Sequence, residues 1–194
     1  GVHVTVGAAT VLSRLVNEMM SRGLSGLEFT VGIPGTVGGA VSMNAGTRRE
    51  WIGQLIESLV TYVPGEGLRY YDHDDIYWGY RETGLPGSEI VLEATLVLKP
   101  GKKDDIRERM ERYLGRRRRS QPIGKASCGS VFRNPSDKSV GAMIDDCGLK
   151  GFSVGGAEVS PVHANFIVNN GSATAKDVLS VIQHVHAKVK ETYG

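Results

Sequence analysis

Glycines set close together, a tyrosine–arginine pair and a serine behind a glycine are the parts of this sequence from which chemistry could be built. Gly32-Ile33-Pro34-Gly35-Thr36-Val37-Gly38-Gly39-Ala40, followed by Met43-Asn44-Ala45-Gly46, would let backbone N–H groups approach a large flat or anionic ligand without side-chain interference. The pattern is neither the dinucleotide fingerprint nor a P-loop, and a merely tight structural loop is the competing reading. Arg81 follows Tyr80 and an aromatic and acidic stretch over 72–78. Its planar fork can hold a carboxylate through two parallel hydrogen bonds, which lysine cannot imitate; an ordinary surface arginine is the alternative. In Cys128-Gly129-Ser130-Val131-Phe132-Arg133-Asn134-Pro135 the serine does not fit a nucleophile elbow, because Phe132 stands where that motif needs glycine. Ser130 can instead be read as a proton donor. Lys150 lies between glycines, and for it and for His163 a phosphate ligand and simple exposure are both open.

Other polar features read more plainly. Arg116 to Arg119 could meet phosphates, yet four arginines closing a helix fit a solvated end that complements the helix dipole, so nucleic-acid binding is not expected. Cys128 and Cys147 lack a paired spacing and read as reduced thiols in core or near-site packing. No His/Cys/carboxylate spacing suggests a metal. Asn170-Gly171-Ser172 matches a glycosylation acceptor by chance, as a turn.

The elements that must position these residues follow from periodicity. Val2 to Val6 alternates as a strand, and a helix is expected from about Thr10 to Arg22, with Leu12, Leu15, Val16, Met19 and Met20 on one face and Gly23 as C-terminal cap. Residues 31–46 are too glycine-dense for a stable helix or a regular strand and read as ordered loop. Ile56 to Val63 and Leu68 to Tyr71 form a hairpin about Pro64-Gly65-Glu66-Gly67, and Ile90 to Leu98 is the strongest strand. A helix is expected from Lys103 to Arg119 and another from Val140 to Cys147 between Ser139 and Gly148. Strands near Ser153 to Val159 and Phe166 to Val168 precede a last helix from Ala175 to about Thr192, capped by Thr174 with Asp177 and buried through Val178, Val181, Ile182, Val185 and Val189. A domain boundary is expected close to Pro100-Gly101.

Composition sets the outer limits. The 194 residues suit one large or two small folding units, and 40% apolar with 23% charged residues is ordinary for a globular chain. No apolar run approaches the roughly 18 to 20 residues of a membrane span, so the cytoplasm is the expected address. Glycine is the departure, at 26 residues, nearly twice the usual ~7%.

Seven ordered blocks run through nearly the whole chain. They are Gly26-Leu27-Glu28-Phe29, the glycine-rich run with Met43-Asn44-Ala45-Gly46, Tyr80-Arg81, Gln121-Pro122, Gly129 to Pro135, Gly148-Leu149-Lys150-Gly151 and His163-Ala164-Asn165-Phe166-Ile167-Val168-Asn169. Together they resemble the UDP-N-acetylenolpyruvoylglucosamine reductases (UDP-N-acetylmuramate dehydrogenases), in the shorter of that family's two subtypes. The resemblance implies an α+β chain: residues 1–101 as the second part of a vanillyl-alcohol-oxidase-type FAD-binding domain, and residues 102–194 as an α/β substrate-binding domain. It implies FAD and NADPH as cofactors and UDP-N-acetylglucosamine enolpyruvate as substrate, in peptidoglycan precursor synthesis and hence in cell-wall biogenesis, cell shape and division.

Roles come with the same resemblance. Gly32, Ile33, Pro34, Gly35, Thr36, Gly38, Gly39, Ala40, Asn44 and Gly46 would lie along FAD. Arg81 would meet the charge that develops beside the carboxylate, and Ser130 would protonate the adjacent carbon. Tyr80, Gln121, Asn134, Lys150 and His163 would hold the sugar nucleotide. Departures are Thr83 where the family usually has serine, and Thr47-Arg48-Arg49-Glu50 where a small-residue turn is usual. The family also carries an earlier flavin subdomain and a late glutamate segment that these residues do not contain, so the expectation is a fragment truncated at both ends and inactive alone. A non-catalytic nucleotide-sugar binding module is the alternative; a flavin oxidase of the same broad fold lacks an attachment pattern for covalent flavin. Oligomeric state is left open.

Overall fold

A computed structural model describes residues 1–135 and 138–194, and the chain divides into two compact units, Gly1–Gly115 and Arg116–Gly194. The first unit opens with β1 (Val2–Gly7) and α1 (Leu12–Ser21), whose Leu12, Leu15, Val16 and Met19 are all buried. Gly23, at φ +69°, ends the helix by donating to the Met20 carbonyl, a left-handed position that glycine fills without a Cβ clash. There follow β2 (Leu24–Ser25), α2 (Val37–Ser42), β3 (Ile56–Val63), β4 (Gly67–Asp72), β5 (Trp78–Gly79), β6 (Glu82–Thr83), β7 (Ile90–Pro100) and α3 (Lys103–Ser120).

The sheet order is β1-β7-β3-β4, antiparallel throughout, with β2 paired to the end of β7. Ala94, Leu96 and Leu98 alternate inward from β7 and meet the apolar faces of α1 and α2. Ile106 and Met110 of α3 pack into the same core, and the division between compact units falls inside α3.

Residues 31–46 depart from the expectation of a loop without helix. Val37–Ser42 is helical although it holds two glycines, each costing about 1 kcal/mol relative to alanine. Tertiary burial offsets that cost: Val37 and Val41 are fully buried and Ala40 nearly so, and the Thr36 hydroxyl caps the Gly39 N–H at 3.4 Å.

The second unit holds β8 (Ala126–Ser130), α4 (Val140–Asp146), β9 (Ser153–Val154), β10 (Ala157–Val159), β11 (Phe166–Asn169) and α5 (Ala175–Tyr193). Its sheet order is β8-β11-β10-β9, again antiparallel. Ile144, Val159, Val181 and Val185 anchor a core of its own. The α5 start is a reciprocal cap, with Asp177 N–H donating to Thr174 Oγ1 at 3.2 Å and Thr174 N–H to Asp177 Oδ2 at 2.9 Å.

Two expectations change here. The single strand read over 153–159 is a hairpin, with Gly155-Gly156 as its two-residue turn; Gly155 sits at φ +55°. β8 has no counterpart among the expected strands, because Ala126, Ser127 and Cys128 are exposed and supply no apolar alternation. Cys128 is therefore not a core residue, while Cys147 is half-buried. Antiparallel sheets with helices packed on them make the chain α+β. Among the described residues no helix is long and apolar enough to cross a membrane.

Candidate active site

In the first unit the glycine-rich segment and the Tyr80-Arg81 pair are brought together. Trp78 pairs with Thr83 and Gly79 with Glu82, so Tyr80 and Arg81 form the two-residue turn of the β5–β6 hairpin. Three hydrogen bonds fasten that hairpin to the last residue of α2 and the segment that follows it. Thr83 Oγ1 donates to the Ser42 carbonyl at 3.3 Å, Asn44 Nδ2 to the Gly79 carbonyl at 2.8 Å, and Arg81 Nη2 to the Gly46 carbonyl at 2.8 Å. Arg81 has φ +57°, a left-handed backbone that a residue with a Cβ holds only where its surroundings over-determine it. Its guanidinium also lies 5.2 Å from the centre of the Tyr80 ring, a stacking distance that favours a cation over an aromatic face.

The residues expected along FAD divide into two kinds. Gly38 and Gly46 are glycine for internal reasons: an added Cβ would lie 2.8 Å from the Ala8 Cβ in one case and 2.2 Å from the Glu50 carbonyl oxygen in the other. Ala40 and Asn44 are buried, and Thr36 caps α2. Gly32, Pro34, Gly35 and Gly39 are exposed and Ile33 is half-exposed. Gly35, at φ +110°, meets no neighbour that a Cβ would strike, so this edge offers bare backbone to a ligand. That is the surface a flat cofactor requires, and the residues present fit FAD there.

In the second unit Ser130 ends β8 opposite Phe166 of β11 and is exposed. The Phe166 ring meets the His163 imidazole at 4.8 Å between centres. A Cβ on Gly141, in the first turn of α4, would come within 3.2 Å of His163 Cε1. Asn134 Oδ1 accepts the Val140 N–H at 3.0 Å at the start of the same helix, and Lys150 Nζ donates to Asp145 Oδ2 at 2.6 Å near its end. Ser130, Asn134, His163 and Lys150 are thus organised around α4 and β11. Gln121 stands apart, closing α3 with its N–H on the Arg117 carbonyl at 2.8 Å.

Burial, the largest influence, lowers the His163 pKa against a backbone hydrogen bond that raises it, and the Lys150 charge lowers it further. Its Nδ1 accepts the Asn165 N–H at 3.2 Å, so the neutral ring carries its proton on Nε2.

Sequence reasoning missed the residues that hold these pieces in place. Asn165 is 3% exposed and grips Phe132 from both sides, Oδ1 accepting its N–H and Nδ2 donating to its carbonyl, each at 2.9 Å. Glu28, also buried, accepts from Ser25 Oγ, the Gly26 N–H and Arg109 Nη2 at 2.7–2.9 Å. Polar residues in the sequence carry no mark of burial, which is the property that gives these their roles.

Residues 1–63 match the FAD binding domain family and residues 121–194 the UDP-N-acetylenolpyruvoylglucosamine reductase C-terminal domain. The class is therefore an FAD-binding protein with a reductase-type second domain. Curated relatives extend the likeness. The UDP-N-acetylenolpyruvoylglucosamine reductase of Halalkalibacterium halodurans is 41% identical over 194 residues, covering 100% of this chain and 64% of the relative. That of Thermotoga maritima is 42% identical over 196 residues, covering 100% and 69%. The crystal structure of UDP-N-acetylenolpyruvylglucosamine reductase from Thermus caldophilus superposes with a TM-score of 0.89 at 43% identity, over 95% of this chain and 68% of that one. The chain belongs to the UDP-N-acetylenolpyruvoylglucosamine reductase family.

Proposed function

We propose that this chain serves the reduction of UDP-N-acetylglucosamine enolpyruvate to UDP-N-acetylmuramate at the expense of NADPH, in cytoplasmic peptidoglycan precursor synthesis. One observation carries the reading: the Arg81 turn is fastened at three points to the segment whose open glycine edge suits FAD. A fork for a carboxylate is thereby tied to the segment suited to a hydride carrier.

Bound FAD supplies the hydride, taken from NADPH, that reaches the terminal vinyl carbon. The chain's own residues then manage the developing charge and the proton. Electron density moves toward the carbon that bears the carboxylate, and a donor aimed at that charge before it forms costs no reorganisation when it does. Arg81 has this part, since its guanidinium stays charged and matches a carboxylate in geometry. Ser130 gives its hydroxyl proton to the same carbon, so the double bond becomes a lactyl ether and the serine regains a proton from solvent. A serine is a weak acid in water and acts here only with the anion beside it as a strong acceptor.

Asn134, Lys150 and His163 hold the sugar nucleotide with Tyr80 and Gln121. Lys150 is already paired with Asp145, so a diphosphate must share it or displace the carboxylate. The residues along FAD are the edge from Gly32 to Gly39, with Thr36, Gly38, Ala40, Asn44 and Gly46 shaping it from behind. Residues 1–101 then belong to the flavin side and 102–194 to the substrate side.

The test replaces the matching segment of the Halalkalibacterium halodurans relative with these 194 residues and follows NADPH oxidation with FAD and the enolpyruvyl sugar. Turnover is expected, and Ser130→Ala is expected to spare flavin reduction by NADPH while abolishing reduction of the sugar nucleotide. A folded, FAD-loaded chimera that oxidises NADPH yet never reduces the sugar would overturn the proposal.

A further inference from the structure

We propose that Asn44 is a positioning residue for Arg81: its carboxamide ties the Gly53 backbone, the segment after α2 and the Tyr80-Arg81 turn into one clamp that fixes where the guanidinium is presented. The inference rests on the role given to Arg81 above. Asn44 is 2% exposed, and both ends of its amide are used. Nδ2 donates to the carbonyl of Gly79, the residue just before the turn, at 2.8 Å, and Oδ1 accepts the Gly53 N–H at 3.0 Å. A carboxamide donates and accepts at once; an aspartate only accepts, and an aliphatic side chain of that size does neither.

The backbone narrows the choice further. Asn44 sits at φ +40°, a left-handed region that asparagine and glycine enter at small cost. The position therefore asks for left-handed tolerance and a two-ended amide together, which asparagine alone supplies at this length. Of the two backbones it joins, Gly53 is closely packed, while Gly79 faces the exposed Tyr77 ring. A Cβ on Gly53 would lie 2.4 Å from Trp78 Cε3, and one on Gly79 would lie 2.8 Å from Tyr77 Cε1.

Of the bonds that fasten the hairpin, the Thr83 bond to Ser42 is exposed, while the Asn44 bond to Gly79 comes from a buried side chain. Water competes poorly for a buried amide, so this bond holds the turn when the outer one, from Thr83, opens. The left-handed Arg81 backbone depends on such a hold. The side chain of Asn44 is thus occupied within the protein, and any contact it gives FAD is through its backbone.

Two substitutions separate the clamp from the backbone. Asn44→Gly keeps left-handed freedom and removes both bonds. Asn44→Asp keeps the acceptor toward Gly53 and sets a carboxylate against the Gly79 carbonyl. The readout is calorimetric affinity of the full chain for UDP-N-acetylmuramate, which carries the carboxylate, against UDP-N-acetylglucosamine, which lacks it.

The unsubstituted chain is expected to favour the carboxylate ligand by about tenfold, as one charge-assisted fork allows. Arg81→Ala and both Asn44 variants are expected to lose that preference, and Asn44→Gly is expected to add nothing to Arg81→Ala. If Arg81→Ala loses the preference and the Asn44 variants keep it, the clamp is overturned and the Arg81 reading stands. If the unsubstituted chain has no preference, or Arg81→Ala keeps it, the Arg81 reading fails and takes the clamp with it. A crystal structure of the Asn44→Gly chain is the second arm. Arg81 Nη2 is expected to leave the Gly46 carbonyl, and retention of that bond in the same turn would overturn the clamp.

Discussion

In the sequence His163 is a histidine open to a phosphate or to solvent; the fold turns it into a neutral, oriented ring. Burial, foremost, holds its pKa below the ordinary 6.5. The unfolded chain therefore takes up the proton first, and protonation at Nδ1 would also remove the acceptor for the Asn165 N–H. Stability should be level above about pH 7.5 and fall as the pH drops through 6.5. Thermal melts of the chain and of His163→Gln across pH 7.5 to 5.5 check this, with the variant expected to lose less on the acid side. Arg81 makes a second prediction at this scale. Arg81→Lys keeps the charge and loses the fork, so in the chimera reduction of the enolpyruvyl sugar should slow by about 10²- to 10³-fold while flavin reduction by NADPH is unchanged. Rapid-mixing absorbance of the flavin separates the two steps, and a lysine enzyme that kept its rate would show the fork to be dispensable.

At the scale of elements, α3 is held to the first core by more than Ile106 and Met110. Arg109 Nη2 donates to Glu28 Oε1 at 2.8 Å and to Ser25 Oγ at 3.0 Å, and Tyr113 donates to Glu50. Burial alone would raise the Glu28 pKa, but hydrogen bonds from the Glu28 and Gly26 backbone, Ser25 and Arg109 outweigh it and hold the carboxylate below its usual 4.5. Its contribution is present above that pH and is lost as the pH falls further. Arg109→Ala leaves the buried carboxylate with less compensation. A fully buried pair costs about 3–5 kcal/mol when broken; Arg109 is 39% exposed, so about 2 kcal/mol is expected, read as a lower urea midpoint with unchanged slope. The elements also show what periodicity can and cannot reveal. α1, β3, β7 and α5 are legible because one face of each is apolar at the right period, and β4 from the turn chemistry that precedes it. The helix in α2 is hidden by its glycines, and β8 by its lack of any apolar face.

Each compact unit has a core built from its own residues. A cavity opened in one core should therefore be felt first by that unit's ligands. Ile144 is fully buried in the second core, and Ile144→Ala is expected to cost about 2–5 kcal/mol. Affinity for UDP-N-acetylglucosamine should fall with it, because α4 carries the Asn134 cap and flanks His163, whereas FAD retention by the chimera should hold. Parallel calorimetry and flavin absorbance distinguish the two, and equal loss of both ligands would argue against separate roles for the units.

The amino-acid sequence by itself determined the family, through ordered blocks spread along nearly the whole chain, and it determined most of the regular elements, because burial of one face leaves a period in the residues. Tertiary structure alone decided which glycines lie open at the surface and which merely make room for Ala8 or Glu50, and that Asn44 and Asn165 spend their amides inside the protein. Those properties depend on neighbours far apart in the chain: Asn44 meets Gly79 across 35 positions, and Asn165 meets Phe132 across 33. A hydrogen bond closed over such a distance leaves no local pattern, since either partner would look the same in a loop exposed to water.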